Sequence, residues 1–392
     1  MNEVETLAKT KIFLHIGHGK TGTSAVQSAL AIAADKLIKS DINYPINSAL
    51  QQKAARFEIT SGNWAHNPDT SLTEQCMRLA SSNASTCNIV LSSESLFWHL
   101  PEMIEEQEKW DQSIELHAIL AVRELEEMLS SEYQQRVKRH GESKPFEQFL
   151  KRRQFVSSHH KKAAEILTKL SHKKISFSLI NYSRHKKTIG KKIFEIMNCG
   201  ELYPEKEMSG LVINRSLSLK ELQMLMMINA LYYDQYPWIS TRISDALAKE
   251  LPHTETQQCR MSAKAFEKLY KTNDIYIKTI NEYLGTNEAL TCLNTLDRSK
   301  TSNKDPKTQQ KIRQEEKLSC NLISQTLLEA LRDDPAKRLS NQTVDTLIKT
   351  SQSNAIPPDV KVELLEIAKA NRPQGQQLTE LLQQAQLKRH HG

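Results

Sequence analysis

The sequence predicts an α/β protein: a three-layer α/β/α domain on a central parallel sheet of four to five strands, followed by a largely helical C-terminal part. Three observations predict it. Four short apolar runs are separated by stretches of helix length, the pattern of strands joined by crossover helices. The first run passes through a glycine-rich turn into an amphipathic helix. From about Leu219 onward helical periodicity dominates.

The strand-like runs are Lys11–Ile16 (KIFLHI), Asn88–Ser92 (NIVLS), Leu116–Val122 (LHAILAV) and Ile175–Ile180 (ISFSLI). Each is short and rich in aliphatic or β-forming residues. After the first, Val26, Leu30, Ala34 and Leu37 repeat at helical spacing, so a helix starts just past Thr23. Helical patterns follow over Leu219–Leu231, Ala263–Leu284 and most of the chain after Lys317. Asp297–Lys311 is polar with one proline and reads as a linker. The expected organisation is a domain over 1–290, a linker over 291–315 and a helical extension over 316–392. The extension's helices are expected near Leu318–Leu331, Thr343–Thr350 and Val360–Ala370, set apart by Pro357-Pro358 and Pro373.

Composition narrows the class. The 392 residues are 39% hydrophobic and 25% charged, ordinary for a protein with a buried core. No apolar run approaches the roughly 18 residues a membrane helix needs, so no membrane span is expected. The segment MNEVETLAKTK lacks the apolar stretch of a secretory signal. Six scattered cysteines form no CxxC pair, and none has a histidine at metal-ligand spacing. Free thiols in a reducing cytoplasm are the expectation, and a cytoplasmic location with it. The whole chain carries +7, yet Arg136–Lys192 holds 17 Lys/Arg against Glu142, Glu147 and Glu165, so the remainder is acidic. Such a block draws anions by long-range steering and favours an acidic partner. No aromatic platform or reading motif accompanies it, so nucleic acid is not expected. Within it, Lys151-Arg152-Arg153 and His159-His160-Lys161-Lys162 suit either an acidic polysaccharide or a solvated helix face.

The segment with the sharpest chemistry is Lys11–Leu30. A buried strand ends in Gly17, turns through Gly19-Lys20-Thr21-Gly22-Thr23-Ser24 and enters a helix. Glycines let backbone N–H groups close around an anion, and a helix start adds its positive dipole end. Lys20 adds a point charge, and the three hydroxyls add donors. This is a phosphate cradle, but not a nucleotide-kinase loop. That pattern needs a glycine where this chain has Leu14. The strand that should end in a magnesium-binding aspartate runs instead into Arg123, which disfavours metal-dependent phosphoryl transfer.

His15-Ile16-Gly17, Lys20-Thr21-Gly22-Thr23-Ser24 and Gln27 resemble the 5′-phosphosulfate loop of sulfotransferases, above all bacterial carbohydrate-type ones with "HIGxxKTGTTSLQ". A second motif matches separately. Members of that family follow a strand with an arginine and, eight residues on, a serine that together hold the donor's 3′-phosphate. Here Val122-Arg123 is followed by Ser131-Glu132-Tyr133, with Glu124-Leu125 in place of the usual aspartate and proline. Ser130 is adjacent, so the register between the two serines stays open. Weaker likenesses are Asp41–Pro45 (DINYP), Ser92-Ser93-Glu94, Phe146–Leu150 (FEQFL), Leu211–Leu219 (LVINRSLSL) and a closing helix at Tyr270–Leu284, so the resemblance spans about residues 10–290.

The resemblance implies a P-loop-NTPase-like sheet and a sulfotransferase that uses 3′-phosphoadenosine 5′-phosphosulfate, releases adenosine 3′,5′-bisphosphate and needs no metal. The acceptor would be a hydroxyl, of a glycan by family likeness. Gly17, Gly19, Lys20, Thr21, Gly22, Thr23 and Ser24 would hold the 5′-phosphosulfate, and Arg123 and Ser131 the 3′-phosphate. Arg215 and Asn214 would close over the nucleotide by their place in the family's segment order. Lys20 is the candidate for stabilising the leaving phosphate. Glu94, at the carboxyl end of a parallel strand, is either the base that takes the acceptor proton or a structural carboxylate. His18 could contact donor or acceptor, His66 could line the acceptor site, and His15 reads as a core histidine. Two rival classes stay open: a kinase-like nucleotide enzyme, and a non-catalytic binding module on a sulfotransferase fold. Oligomeric state is not legible.

Overall fold

Each of the four apolar runs forms a strand, and Asp41–Pro45 contributes a fifth. The computed structural model of the chain describes residues 9–17, 19–58, 60–65, 67, 69–82, 88–111, 114–210, 215–292, 306–332, 341–353, 356–372 and 376–390. The first half runs β1 (Thr10–Gly17), α1 (Thr23–Ile38), β2 (Ile42–Asn43), α2 (Ser48–Ala55), α3 (Leu72–Ser82), β3 (Asn88–Ser92), α4 (Leu96–Glu105), β4 (Ile114–Val122) and α5 (Leu125–Arg139). Then come α6 (Phe146–Arg152), α7 (Ser158–His172), β5 (Ser176–Asn181), α8 (Tyr182–His185), α9 (Ile189–Ile196) and α10 (Glu205–Met208). The remainder is helical: α11 (Leu219–Tyr232), α12 (Ile239–Glu250), α13 (Ala263–Asn281), α14 (Pro306–Arg332), α15 (Asn341–Ser351), α16 (Pro358–Asn371) and α17 (Gln376–His390).

The five strands form one parallel sheet in the order β2-β3-β1-β4-β5. Alternation along β1 shows why both faces are covered. Phe13 points to one side and Ile12, Leu14 and Ile16 to the other, and all four are buried. Phe13 joins Val26, Leu30 and Leu37 of α1 with Ile189, Ile193 and Phe194 of α9 in one core layer. On the expected α1 stripe, Ala33 rather than Ala34 is the buried alanine. Each fully buried leucine of this layer is worth about 2 kcal/mol of transfer free energy. α4 packs on β1, α7 packs on α4 and β5, and α13 covers α7. α5 carries α11 and α12 against it. β3 and β4 flank β1, so their carboxyl ends bring Ser92, Gly17 and Val122 side by side.

The chain divides into two compact units, Met1–Leu322 and Ile323–Gly392, with the division inside α14. α14 starts at Pro306, within the stretch 291–315 expected as a linker. Ser319 on α14 is fully buried and donates to a carboxylate oxygen of Glu221 on α11. In the second unit α15 packs on α16 and α16 on α17, around Val344, Leu365, Ala368 and Leu378. α17 lies beyond the helices expected there. Among the described residues no helix is long and apolar enough to cross a membrane.

Candidate functional site

The cradle between β1 and α1 is shaped by one left-handed glycine and by close packing that leaves little room for side chains at the others. Gly22 caps α1 at φ 81°, and a Cβ there would stand 2.8 Å from a ring carbon of Tyr182. A Cβ on Gly17 would meet Thr23 Oγ1 at 2.5 Å. Lys20 takes φ 79°, a left-handed conformation that costs a non-glycine residue roughly 1 kcal/mol or more. It is held there by Arg123, whose Nη1 donates to the Lys20 carbonyl at 2.9 Å. Among the described residues no side chain caps α1, so its first N–H groups are left to the loop.

An open cleft of about 1030 Å³ lies over this loop. Gly19, Lys20, Gly22, Thr23 and Ser24 line it together with Glu94, Arg123 and Ser131. Gly17 and the buried Thr21 stand behind the lining rather than in it. Lys20 Nζ donates to Gln135 Oε1 on α5 at 2.8 Å. Burial pushes the Lys20 ammonium down to about 8; the Glu94 charge opposes the fall, and Arg139 and Arg123 add to it. Burial raises the Glu94 carboxyl above its usual range, against the pull of Lys20 and of the Thr23 hydroxyl. Glu94 Oε2 lies 3.3 Å from the place a Cβ on Gly19 would occupy, so a side chain at 19 would press on it.

Arg123 stands at the mouth of the β4–α5 turn. Its Nε pairs with Glu127 Oε2 at 3.2 Å, and its guanidinium lies 5.3 Å from the Tyr182 ring centroid. Its own carbonyl accepts from His160 Nε2 at 2.9 Å, and His160 Nδ1 faces Ser157 Oγ at 2.8 Å. Burial holds His160 down at about 4, so it is neutral near pH 7. Glu124 is turned out of the cleft. Its Oε2 accepts from the Thr291 N–H at 3.0 Å and its own N–H donates to Ser183 Oγ. Of the two neighbouring serines, only Ser131 lines the cleft. Ser130 is buried with its Oγ accepting from the Cys259 N–H at 2.8 Å, whereas Ser131 lines the cleft.

Arg215 does not join these groups. Its two terminal nitrogens donate to the two oxygens of Glu221 at 2.8 Å each, and to the Ser216 and Leu247 carbonyls. Both side chains are buried, and Ser218 with Glu221 forms the capping box that starts α11. The arginine expected over a nucleotide is therefore a structural ion pair, and Ser216 beside it is what reaches the cleft. His15 is a core histidine: burial lowers it to about 4, and its Nδ1 faces Ser92 Oγ at 2.8 Å. His18, His66 and Asn214 lie outside the described residues.

Several lining residues escaped the sequence reading. Gln135 and Arg139 follow Ser131 at four-residue intervals on α5, which places all three on one helix face. His159 and Glu132 line the same side, with His159 Nδ1 3.7 Å from Glu132 Oε2. Tyr182, Lys186, Lys187 and Lys191 follow the carboxyl end of β5, where a parallel sheet opens its crevice. Helical spacing from Ser131 could have found the first pair. Much of the basic block is locally paired: Arg152 with Glu142, Arg153 with Glu132, Lys162 with Glu165 and Lys186 with Glu127. Among the described residues no three His, Cys, Asp or Glu side chains are grouped as metal ligands.

One cleft thus gathers the loop with Lys20, Arg123 and Ser131, with the Glu94 carboxylate among them. No family model, curated protein or solved structure matches this chain.

Proposed function

We propose that the chain is a sulfotransferase that moves a sulfuryl group from 3′-phosphoadenosine 5′-phosphosulfate to an acceptor hydroxyl, a glycan's by the resemblance of its motifs. One observation carries the reading: two segments 103 residues apart in sequence meet at the Arg123–Lys20 contact, and both line one cleft. A donor with phosphates at two ends needs two grips. The cradle is one, and a Cβ at Gly19 or Gly22 would crowd it. Arg123 is the other, with Ser131 two turns along α5. None of the five described cysteines forms a disulfide, which suits the cytoplasmic location that belongs to the same proposal.

The donor supplies an activated sulfuryl group on a phosphate leaving group. Lys20 and the uncapped N–H groups of α1 stabilise the charge that gathers on that phosphate and on the sulfuryl oxygens. Arg123 and Ser131 fix the other end, so that the chemistry is mainly one of position. The acceptor oxygen forms a bond to sulfur as the bond from sulfur to the bridging oxygen breaks. The electron pair leaves with the phosphate, and the hydroxyl proton passes to Glu94. Burial raises the proton affinity of Glu94, which brings it nearer to what a base working at neutral pH needs. A sulfuryl group carries less charge than a terminal phosphate, so the reading invokes no metal.

Thermal melting tests the donor site. Adenosine 3′,5′-bisphosphate at 100 times its Kd is expected to stabilise the protein by about 2.7 kcal/mol, and ATP with magnesium is not. A melting temperature unmoved by the bisphosphate removes the donor site. Lys20→Ala is expected to abolish transfer of labelled sulfate, and near-normal turnover would take Lys20 out of the mechanism.

A further inference from the structure

We propose that Gln135 is a positioning residue: its side-chain oxygen fixes where the Lys20 ammonium group stands in the cleft. The contact is direct, with Nζ donating to Oε1 at 2.8 Å, and both residues line the cleft. Lys20 has four flexible side-chain bonds, and its own backbone is held by Arg123. With its tip on Gln135, both ends of the residue are tied to the β4–α5 segment. The same segment supplies Arg123 and Ser131. The point charge of the loop and the second anion grip are thus set by one rigid element, which is how a site keeps reacting groups in register.

The chemistry of an amide suits this task. A carboxylate at 135 would form an ion pair and keep the lysine's charge from the cleft. An aliphatic side chain would leave the ammonium to choose among its neighbours. Those neighbours are Glu94, which attracts it, and Arg123, Arg139 and Lys138, which repel it. A neutral carbonyl oxygen holds the charged form without cancelling it. Lys20 already stands at about 8, so a lost acceptor moves its titration toward the working range.

The proposal rests on the sulfotransferase reading only for the group that Lys20 meets; the contact and its test need no donor. The test is acetylation of Lys20 by acetic anhydride in the full chain, followed by peptide mass spectrometry from pH 6 to 11. The unsubstituted protein is compared with Gln135→Leu, Gln135→Ala and Gln135→Glu. The midpoint of Lys20 labelling is expected to fall in the Leu and Ala variants, which withdraw a partner of the charged form. It is expected to rise by about one pH unit in Gln135→Glu, which supplies an opposite charge. A packing role would not move the midpoint in opposite directions. Unmoved midpoints, or shifts of one sign in all three variants, overturn the proposal. If the shifts appear but adenosine 3′,5′-bisphosphate binds none of the proteins, Gln135 keeps its role and the sulfotransferase reading fails.

Discussion

Two turns each bring an arginine up beside α5, and the protein uses them in opposite ways. At the β4–α5 turn, Arg123 gives Nε to Glu127 and Nη1 to the Lys20 carbonyl, and its Nη2 has no acceptor among the described residues. At the turn into α11, Arg215 gives both terminal nitrogens to Glu221 and to two carbonyls. Ser319 completes Glu221, and Lys138 Nζ donates to the Arg215 carbonyl. A guanidinium is available to a ligand only to the extent that the fold leaves donors unspent. Arg123 is partly spent and lines the cleft; Arg215 has both terminal nitrogens engaged, lies buried and is not part of the cleft's lining.

Substitution by methionine should separate the two most sharply. Arg215→Met leaves Glu221 charged and buried with its main partner gone, a loss of about 3–5 kcal/mol by urea unfolding. Arg123→Met should cost far less stability but weaken adenosine 3′,5′-bisphosphate 10- to 100-fold, the value of about 1.5–3 kcal/mol for a charge-assisted contact. A bisphosphate affinity that tracked Arg215, with stability untouched, would reverse the comparison.

Acid should act on the Arg123 turn next most strongly. His160 bonds the Arg123 carbonyl in its neutral form, and burial lowers it from 6.5 to about 4. Between those values the unfolded chain binds more protons than the folded one, so stability is present above pH 6.5 and drains away as pH falls toward 4. The loss from this group is up to about 3 kcal/mol. His15, lowered to about 4 by burial, drains in the same direction. His160→Gln keeps a donor for the carbonyl but cannot titrate. Its urea midpoint should fall less between pH 7 and 4.5 than that of the unsubstituted chain, and an equal fall would show that His160 is not the sensor.

The same contrast marks what could be read from the sequence. Strands were legible because burial on both faces of a parallel sheet demands unbroken apolar runs, as in NIVLS. The cradle was legible because its glycines answer to local backbone geometry. Arg123 was legible because one strand end and one helix fix its place. Arg215 was not, because its environment is made by Glu221, Leu247 and Ser319, whose meeting depends on three helices. Gln135 is the converse case, an unremarkable polar residue until α5 is seen to aim it at a lysine 115 positions earlier. Only the first turns of α14 hid: they lie in polar sequence ahead of Leu318–Leu331, the stretch expected as a helix.

The smallest expected effect tests the comparison at one helical step. Ser130 and Ser131 are neighbours with the same chemistry, and a helix turns successive residues about 100° apart. Ser130→Ala removes the acceptor of the buried Cys259 N–H, so about 1 kcal/mol of stability should go while bisphosphate affinity holds. Ser131→Ala removes a hydroxyl from the cleft, so melting should hold while affinity falls about fivefold, again near 1 kcal/mol. A double-mutant cycle with Arg123→Met sharpens the result. Groups gripping one phosphate should couple, whereas Ser130 faces a different partner and should add independently. Coupling of Arg123 to Ser130 and not to Ser131 would mean that α5 presents its other face to the ligand, and the second anion grip would have to be redrawn around that face.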